Sequence, residues 1–113
     1  RQAQQEMSQG RQMGAVPGAD VVVTNPIHYA IAIKYNPEKR NNPYVIAKGQ
    51  RLIAQQIKDI AEQHNVMIIE NPPLARSLFK QTKIGQEIPE EHYKVVAQIL
   101  AFVYHHKSKK EFA

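Results

Sequence analysis

Ala19-Asp20-Val21-Val22-Val23-Thr24-Asn25-Pro26-Ile27-His28-Tyr29-Ala30-Ile31-Ala32-Ile33-Lys34-Tyr35 places two apolar runs on either side of a short break. Ala19 to Thr24 carries three consecutive valines, and Tyr29 to Tyr35 carries Ile31 and Ile33. Both runs are rich in β-branched residues, which pack well on a pleated surface, and both are bounded by turn formers. The pattern predicts two strands with Asn25 to His28 between them. A break this short requires a tight turn, and the turn contains an Asn-Pro dipeptide.

Downstream, Asn36 to Pro43 has the prolines, asparagines and charges of a loop, and Tyr44 to Ala47 is long enough for a third strand. From Gly49 the apolar period changes. Leu52, Ile53, Gln56, Ile57, Ile60 and Ala61 recur at three- and four-residue spacing, which predicts an amphipathic helix over 50–64, with Asn65 as its stop. Val66 to Ile69 reads as a fourth strand. Strand, helix, strand over 44–69 predicts a parallel pair joined by a right-handed crossover. Pro72 and Pro73 open a further helix through Leu74, Leu78 and Phe79, because the first helical turn tolerates proline. Pro89 repeats the device ahead of a helix with Tyr93, Val96, Ala97, Leu100 and Tyr104 on its inner face. The expected fold class is α/β in the α+β sense, a small mixed four-stranded sheet surrounded by about four helices.

The chain has 113 residues, the size of one domain. Its expected division is a linker or weak helix over 1–19, a folded unit over 20–106 and a basic flexible tail over 107–113. No apolar stretch approaches the length that crosses a bilayer. With no cysteine, disulfides, thiolate metal sites and cysteine nucleophiles are excluded. The chain opens at Arg1 without an initiator methionine, which is expected of a fragment of a longer protein. A net charge of +5 suits a nucleic acid, an anionic surface or an acidic partner without choosing among them.

Asn-Pro occurs at Asn25, Asn36, Asn42 and Asn71, and such a dipeptide is ordinarily a turn signal. The first copy differs in lying between two apolar strands, with His28 two residues after Pro26. Proline has no amide hydrogen, so its nitrogen cannot attack the asparagine side chain as in ordinary deamidation. The reverse attack remains open. The Asn25 side-chain nitrogen can close a five-membered ring on its own carbonyl carbon, expelling Pro26 as a new amino terminus and leaving a C-terminal succinimide. A constrained turn would turn that encounter into a positioned intramolecular one. Protons must still move, and His28 is the nearest titratable side chain, although many histidines only pack or cap.

Val21-Val22-Val23-Thr24-Asn25-Pro26-Ile27-His28-Tyr29-Ala30 resembles the NPTH segment that defines the FlhB/YscU family of type III export switch proteins. Ala47-Lys48-Gly49, Glu70-Asn71-Pro72-Pro73-Leu74-Ala75-Arg76 and Ile84-Gly85-Gln86-Glu87-Ile88-Pro89 resemble the same family in the same order. The resemblance covers roughly residues 19–104, and the segments from Thr24 to Asn36 and from Ile84 to Pro89 look most like its flagellar branch. It implies Asn25 as the cleaving residue, Pro26 as the leaving group and His28 as the helper. It also implies a preceding membrane domain, a place on the cytoplasmic face of the bacterial inner membrane, and a switch of export from rod and hook substrates to filament substrates.

Implied partners are other export-apparatus components, a hook-length control protein, and export substrates or chaperone complexes, with no nucleic acid. Pro72, Pro73, Leu74, Ala75 and Arg76 form either a helix start or a partner-binding segment. One departure stands out, because the family's third motif position is usually threonine and here it is Ile27. Ring closure uses only atoms of Asn25 and Pro26, so cleavage is expected to survive that change. Such cleavage is a single event without turnover, and no cofactor is expected.

His64, His92, His105 and His106 show no metal-ligand spacing, so no metal is expected. No glycine-rich phosphate loop or serine-centred nucleophile motif appears. Two rival readings remain, a basic nucleic-acid-binding domain and a scaffold in which Asn25-Pro26 is only a turn.

Overall fold

The computed structural model describes residues 10–112, with side chains through Lys107. Val21–Asn25 forms strand β1 and Tyr29–Lys34 forms β2, paired antiparallel from Val21 opposite Ile33 to Asn25 opposite Tyr29. Tyr44–Gln50 forms β3 against β2, and Ile68–Glu70 forms β4, parallel to β1. The sheet order is β3-β2-β1-β4. Helix α1 over residues 10–15 runs into a 3₁₀ turn at Val16–Gly18. Helices α2 (Leu52–Gln63), α3 (Pro72–Gln81) and α4 (Tyr93–Phe112) follow, with a 3₁₀ turn at Glu90–His92 leading into α4. This is the mixed sheet with surrounding helices that the sequence predicts.

Side chains along a strand alternate between faces, so β1 and β2 send different residues to two cores. Val21, Val23, Ile31, Ile33 and Val45 meet Leu74 and Leu78 of α3 and Val96, Leu100 and Val103 of α4. Val22, Ala30, Ala32 and Ala47 meet Val16 and, from α2, Ala54, Ile57 and Ala61. Bulky residues fill the first face, and small ones let α2 lie close on the second. Gly49 marks the tightest approach, where an added Cβ would stand 2.2 Å from Ile53 Cγ2. Gly49→Ala should therefore destabilise the domain by about 1–3 kcal/mol, as overpacking does. A Gly18→Ala control, where the nearest atom is Lys34 Nζ at 3.9 Å, should leave the urea midpoint nearly unmoved.

Three local outcomes differ from the sequence expectations. The third strand does not end at Ala47 but continues to Gln50, because Lys48, Gly49 and Gln50 keep pairing with Ile31, Ala30 and Tyr29. β3 and β4 do run in the same direction, but they are not a neighbouring pair. They occupy opposite edges, and β4 pairs with β1 instead. The expected tail over 107–113 is helical backbone as far as Phe112, since α4 runs on without a breaker.

Part of the expected linker also belongs to the core: Val16 and Ala19 are buried under α2, with Met13 packed against them. Residues 1–9 of that segment lie outside the described residues. Asn65 ends α2 as expected, with φ of 58°, the left-handed conformation that asparagine tolerates. No helix among the described residues is long and apolar enough to cross a membrane.

Candidate functional site

Asn25, Pro26, Ile27 and His28 form one turn at the tip of the β1–β2 hairpin. The His28 main-chain N–H donates to the Asn25 carbonyl at 2.9 Å. Ile27 has negative φ, the positive-φ non-glycine residues among the described residues being Arg51 and Asn65. A hydrogen-bonded turn without left-handed residues is type I, and proline is favoured at its second position. Asn25 is half-buried at the strand end, while Pro26, Ile27 and His28 are exposed.

The turn is braced from three sides. Asn71 N–H donates to the Thr24 carbonyl at 2.9 Å and Arg51 N–H donates to the His28 carbonyl at 3.1 Å. The Lys58 ammonium donates to the Pro26 carbonyl at 3.0 Å. The carbonyl that would be attacked, that of Asn25, thus already accepts an N–H, as an oxyanion-stabilising donor must. Sequence-predicted Asn25, Pro26 and His28 are brought together. The His28 ring lies tilted beside Tyr29 at 6.2 Å between centroids, and no hydrogen bond joins it to Asn25 among the described residues.

Neither Lys58 nor Arg51 stood out in the sequence, because both reach the turn through tertiary structure. Arg51 carries φ 53° and ψ −118°, a conformation that suits glycine. Its N–H is held by His28 and it sits at the start of α2, so the surroundings enforce the strain. Arg51→Gly should raise stability by about 1 kcal/mol in urea unfolding, since the contact is made by the main chain.

Of the expected partner-binding segment, Leu74 and Ala75 are buried and hold α3 on the sheet. Pro73 and Arg76 are exposed and Pro72 is half-buried. Asn71 caps the helix, its Oδ1 accepting from Leu74 N–H at 3.3 Å, with Pro72 and Pro73 in the first turn. This Asn-Pro is therefore a helix start.

Lys48 of the Ala47-Lys48-Gly49 motif reaches the end of α3, donating to the carbonyls of Phe79 at 2.9 Å and Thr82 at 2.6 Å. Its ammonium also lies 4.9 Å from the Phe79 ring centroid. The bulge between the Ala32–Ala47 and Ile33–Val45 pairs turns Lys48 to this face. Desolvation lowers the Lys48 pKa below its ordinary value. The folded chain then gives up that proton before the unfolded chain does, so stability rises with pH between the lowered value and the ordinary lysine value.

A cleft of about 370 Å³ opens between α4 and the β2–β3 loop, lined by Tyr35, Pro43, Tyr93, Ala97, Leu100 and Tyr104 among others. Burial, followed by the negative charge of Asp20 and then of Tyr35, raises the Tyr104 pKa, so its phenol stays protonated past the ordinary range. Among the described residues, no group of three His, Asp or Glu side chains is placed to hold a metal.

A hairpin with a braced Asn-Pro tip on a four-stranded mixed sheet defines a recognisable class. The chain belongs to the FlhB HrpN YscU SpaS family, whose model matches residues 1–103. Among individual proteins it is 53% identical to the flagellar biosynthetic protein FlhB of Bacillus subtilis over 109 residues, covering 96% of this chain and 30% of that protein. It is 48% identical to the FlhB of Salmonella typhimurium over 104 residues, covering 92% of this chain and 27% of that one. It therefore spans less than a third of either relative.

Among solved structures it resembles the cytoplasmic domain of FlhB from Shewanella putrefaciens, at 43% identity and a TM-score of 0.87, covering 91% of this chain and 79% of that one. It also resembles an EscU C-terminal domain carrying an asparagine-to-alanine substitution, at 35% identity and a TM-score of 0.80, covering 83% of this chain and 94% of that one. A further EscU structure carries a proline-to-alanine substitution at the residue that follows that asparagine.

Proposed function

We propose that this domain is part of a flagellar protein-export component that switches export from rod and hook substrates to filament substrates, and that it does so by cutting its own chain between Asn25 and Pro26. The observation that carries the reading is the braced turn in which the His28 N–H holds the Asn25 carbonyl. In the reaction the Asn25 Nδ2 bonds to its own carbonyl carbon while charge gathers on the oxygen facing that N–H. The bond to Pro26 then breaks, one proton passes from Nδ2 to the proline nitrogen, and Asn25 is left as a C-terminal succinimide. The His28 imidazole or a water carries the proton. The EscU structures with substitutions at an asparagine and at the proline after it support this reading, as does membership of the family.

Cutting at the tip leaves β1 in the amino-terminal piece, still between β2 and β4 with Val21, Val22 and Val23 fully buried. At about 1.5–3 kcal/mol per buried side chain, those valines alone resist separation. The tip changes shape and the domain stays assembled, so the event acts by altering contacts. The partners of that changed surface are other export-apparatus components, a hook-length control protein, and export substrates or chaperone complexes. The domain works at the cytoplasmic face of the inner membrane, following a membrane domain in the full-length protein. Pro73, Arg76 and the α4 cleft are the surfaces offered to them.

The test places Asn25→Ala in the full-length protein and measures secreted hook-class and filament-class proteins. Continued hook-class export with loss of filament-class export is expected. Normal filament-class export from an uncleaved variant would contradict the proposed switch.

A further inference from the structure

We infer that Lys58 is a positioning residue for the Asn25–Pro26 scission, acting through the Pro26 carbonyl; this rests on the self-cleavage reading above. Lys58 lies 32 residues from Pro26 in the chain, and its ammonium sits 3.0 Å from that carbonyl oxygen. A helical lysine normally has closer partners. Glu62 stands four residues on, a spacing that favours ion pairs, and Asp59 is adjacent, yet Asp59 instead accepts from Gln55 Nε2 at 2.9 Å. Among the described residues no carboxylate lies within ion-pair distance of Lys58. The side chain reaches past its own helix to a main-chain oxygen next to the scissile bond.

The base of this reach is rigid. Ile57 beside it is fully buried against the sheet, as is Ala61 one turn on, so α2 cannot shift without opening the second core. The Arg51 N–H, just ahead of the same helix, holds the His28 carbonyl at the other end of the loop. Both ends of the Pro26-Ile27-His28 loop are therefore tied to α2, and Ile27 between them is 78% exposed. On the other side of the scissile bond, Asn25 is fixed by its pairing with Tyr29. The bond to be broken is a short hinge between two anchored groups.

Expulsion of proline requires its nitrogen to leave conjugation with the Asn25 carbonyl and accept a proton. Anchoring the Pro26 acyl group sets the plane of the ring relative to the attacked carbon, which makes a positioned geometry out of a floppy one. Lys58 forms no bond in the step, and the atoms and proton move as written above.

The experiment times cleavage from synthesis in cell-free translation, comparing the parent with Lys58→Met and Lys58→Arg. Unfolding temperatures of the same two substitutions are measured in purified Asn25→Ala protein. Lys58→Met should slow cleavage by about tenfold, the worth of one charge-assisted hydrogen bond. Lys58→Arg, whose guanidinium can reach the same carbonyl, should recover most of the rate, and unfolding temperatures should stay together. Parent-like cleavage by Lys58→Met overturns the inference. So does a slow Lys58→Arg, or a melting temperature that falls in step with the rate. A parent that never cleaves would remove the reading beneath it as well, whereas a cleaving parent with an indifferent Lys58→Met removes only the role of Lys58.

Discussion

Asn25→Ala should yield a chain that remains whole indefinitely while folding as the parent does. The substitution removes the only atom that can close the ring on the Asn25 carbonyl. Well-placed intramolecular nucleophiles have effective concentrations on the order of 10⁵ M or more, so no water-driven route restores a measurable rate. Stability should change little, by less than about 1 kcal/mol, because Asn25 is half-buried at a strand end and its main-chain pairing is retained. The check is a denaturing gel over days beside a urea melt. Ile27→Thr makes the complementary case. With the residue 78% exposed, Ile27 contributes little packing, so the change should stay within about 0.5 kcal/mol and cleavage should persist.

Ile31→Ala should have the largest effect on the fold itself. Ile31 is fully buried on β2, an interior strand of the sheet, in the core shared with α3 and α4. Truncating a buried isoleucine costs about 2–5 kcal/mol through lost transfer energy and the cavity left behind. For a domain of this size that lowers the melting temperature by on the order of 15 °C. The denaturant midpoint should fall with the slope unchanged, since the surface exposed on unfolding is nearly the same. Ala30 and Ala32 face α2, so the loss falls on the α3 and α4 side.

The β1–β2 hairpin was legible because its two runs are apolar and β-branched and their break holds a proline turn. The direction of β4 was legible too, since a strand, helix, strand sequence implies parallel strands. Its neighbour was not. The crossover spans two strands, and nothing in Val66 to Ile69 distinguishes β1 from β3 as partner. The extension of β3 was hidden because Lys48 and Gly49 look like a strand end. Each has a tertiary reason to be there: the lysine reaches the carbonyls closing α3, and the glycine makes room for Ile53.

The candidate site divides the same way. The cyclisation proposed for Asn25 and Pro26 needs only atoms of the dipeptide, so that proposal could be drawn from the sequence. The clamps from Lys58 and Arg51 depend on where α2 lands against the hairpin. The buried positions of Leu74 and Ala75 follow from the apolar stripe of α3, which a motif read as a contiguous segment obscures.

The most direct test of self-cleavage is intact mass under denaturing conditions, taken on the purified domain. Self-cleavage predicts two pieces separated between Asn25 and Pro26, the second beginning with a free Pro26 amine. When caught early, the first piece should be one water lighter than the corresponding C-terminal acid, as a succinimide requires. A single full-length mass after prolonged incubation, or a cut at any other bond, would contradict it.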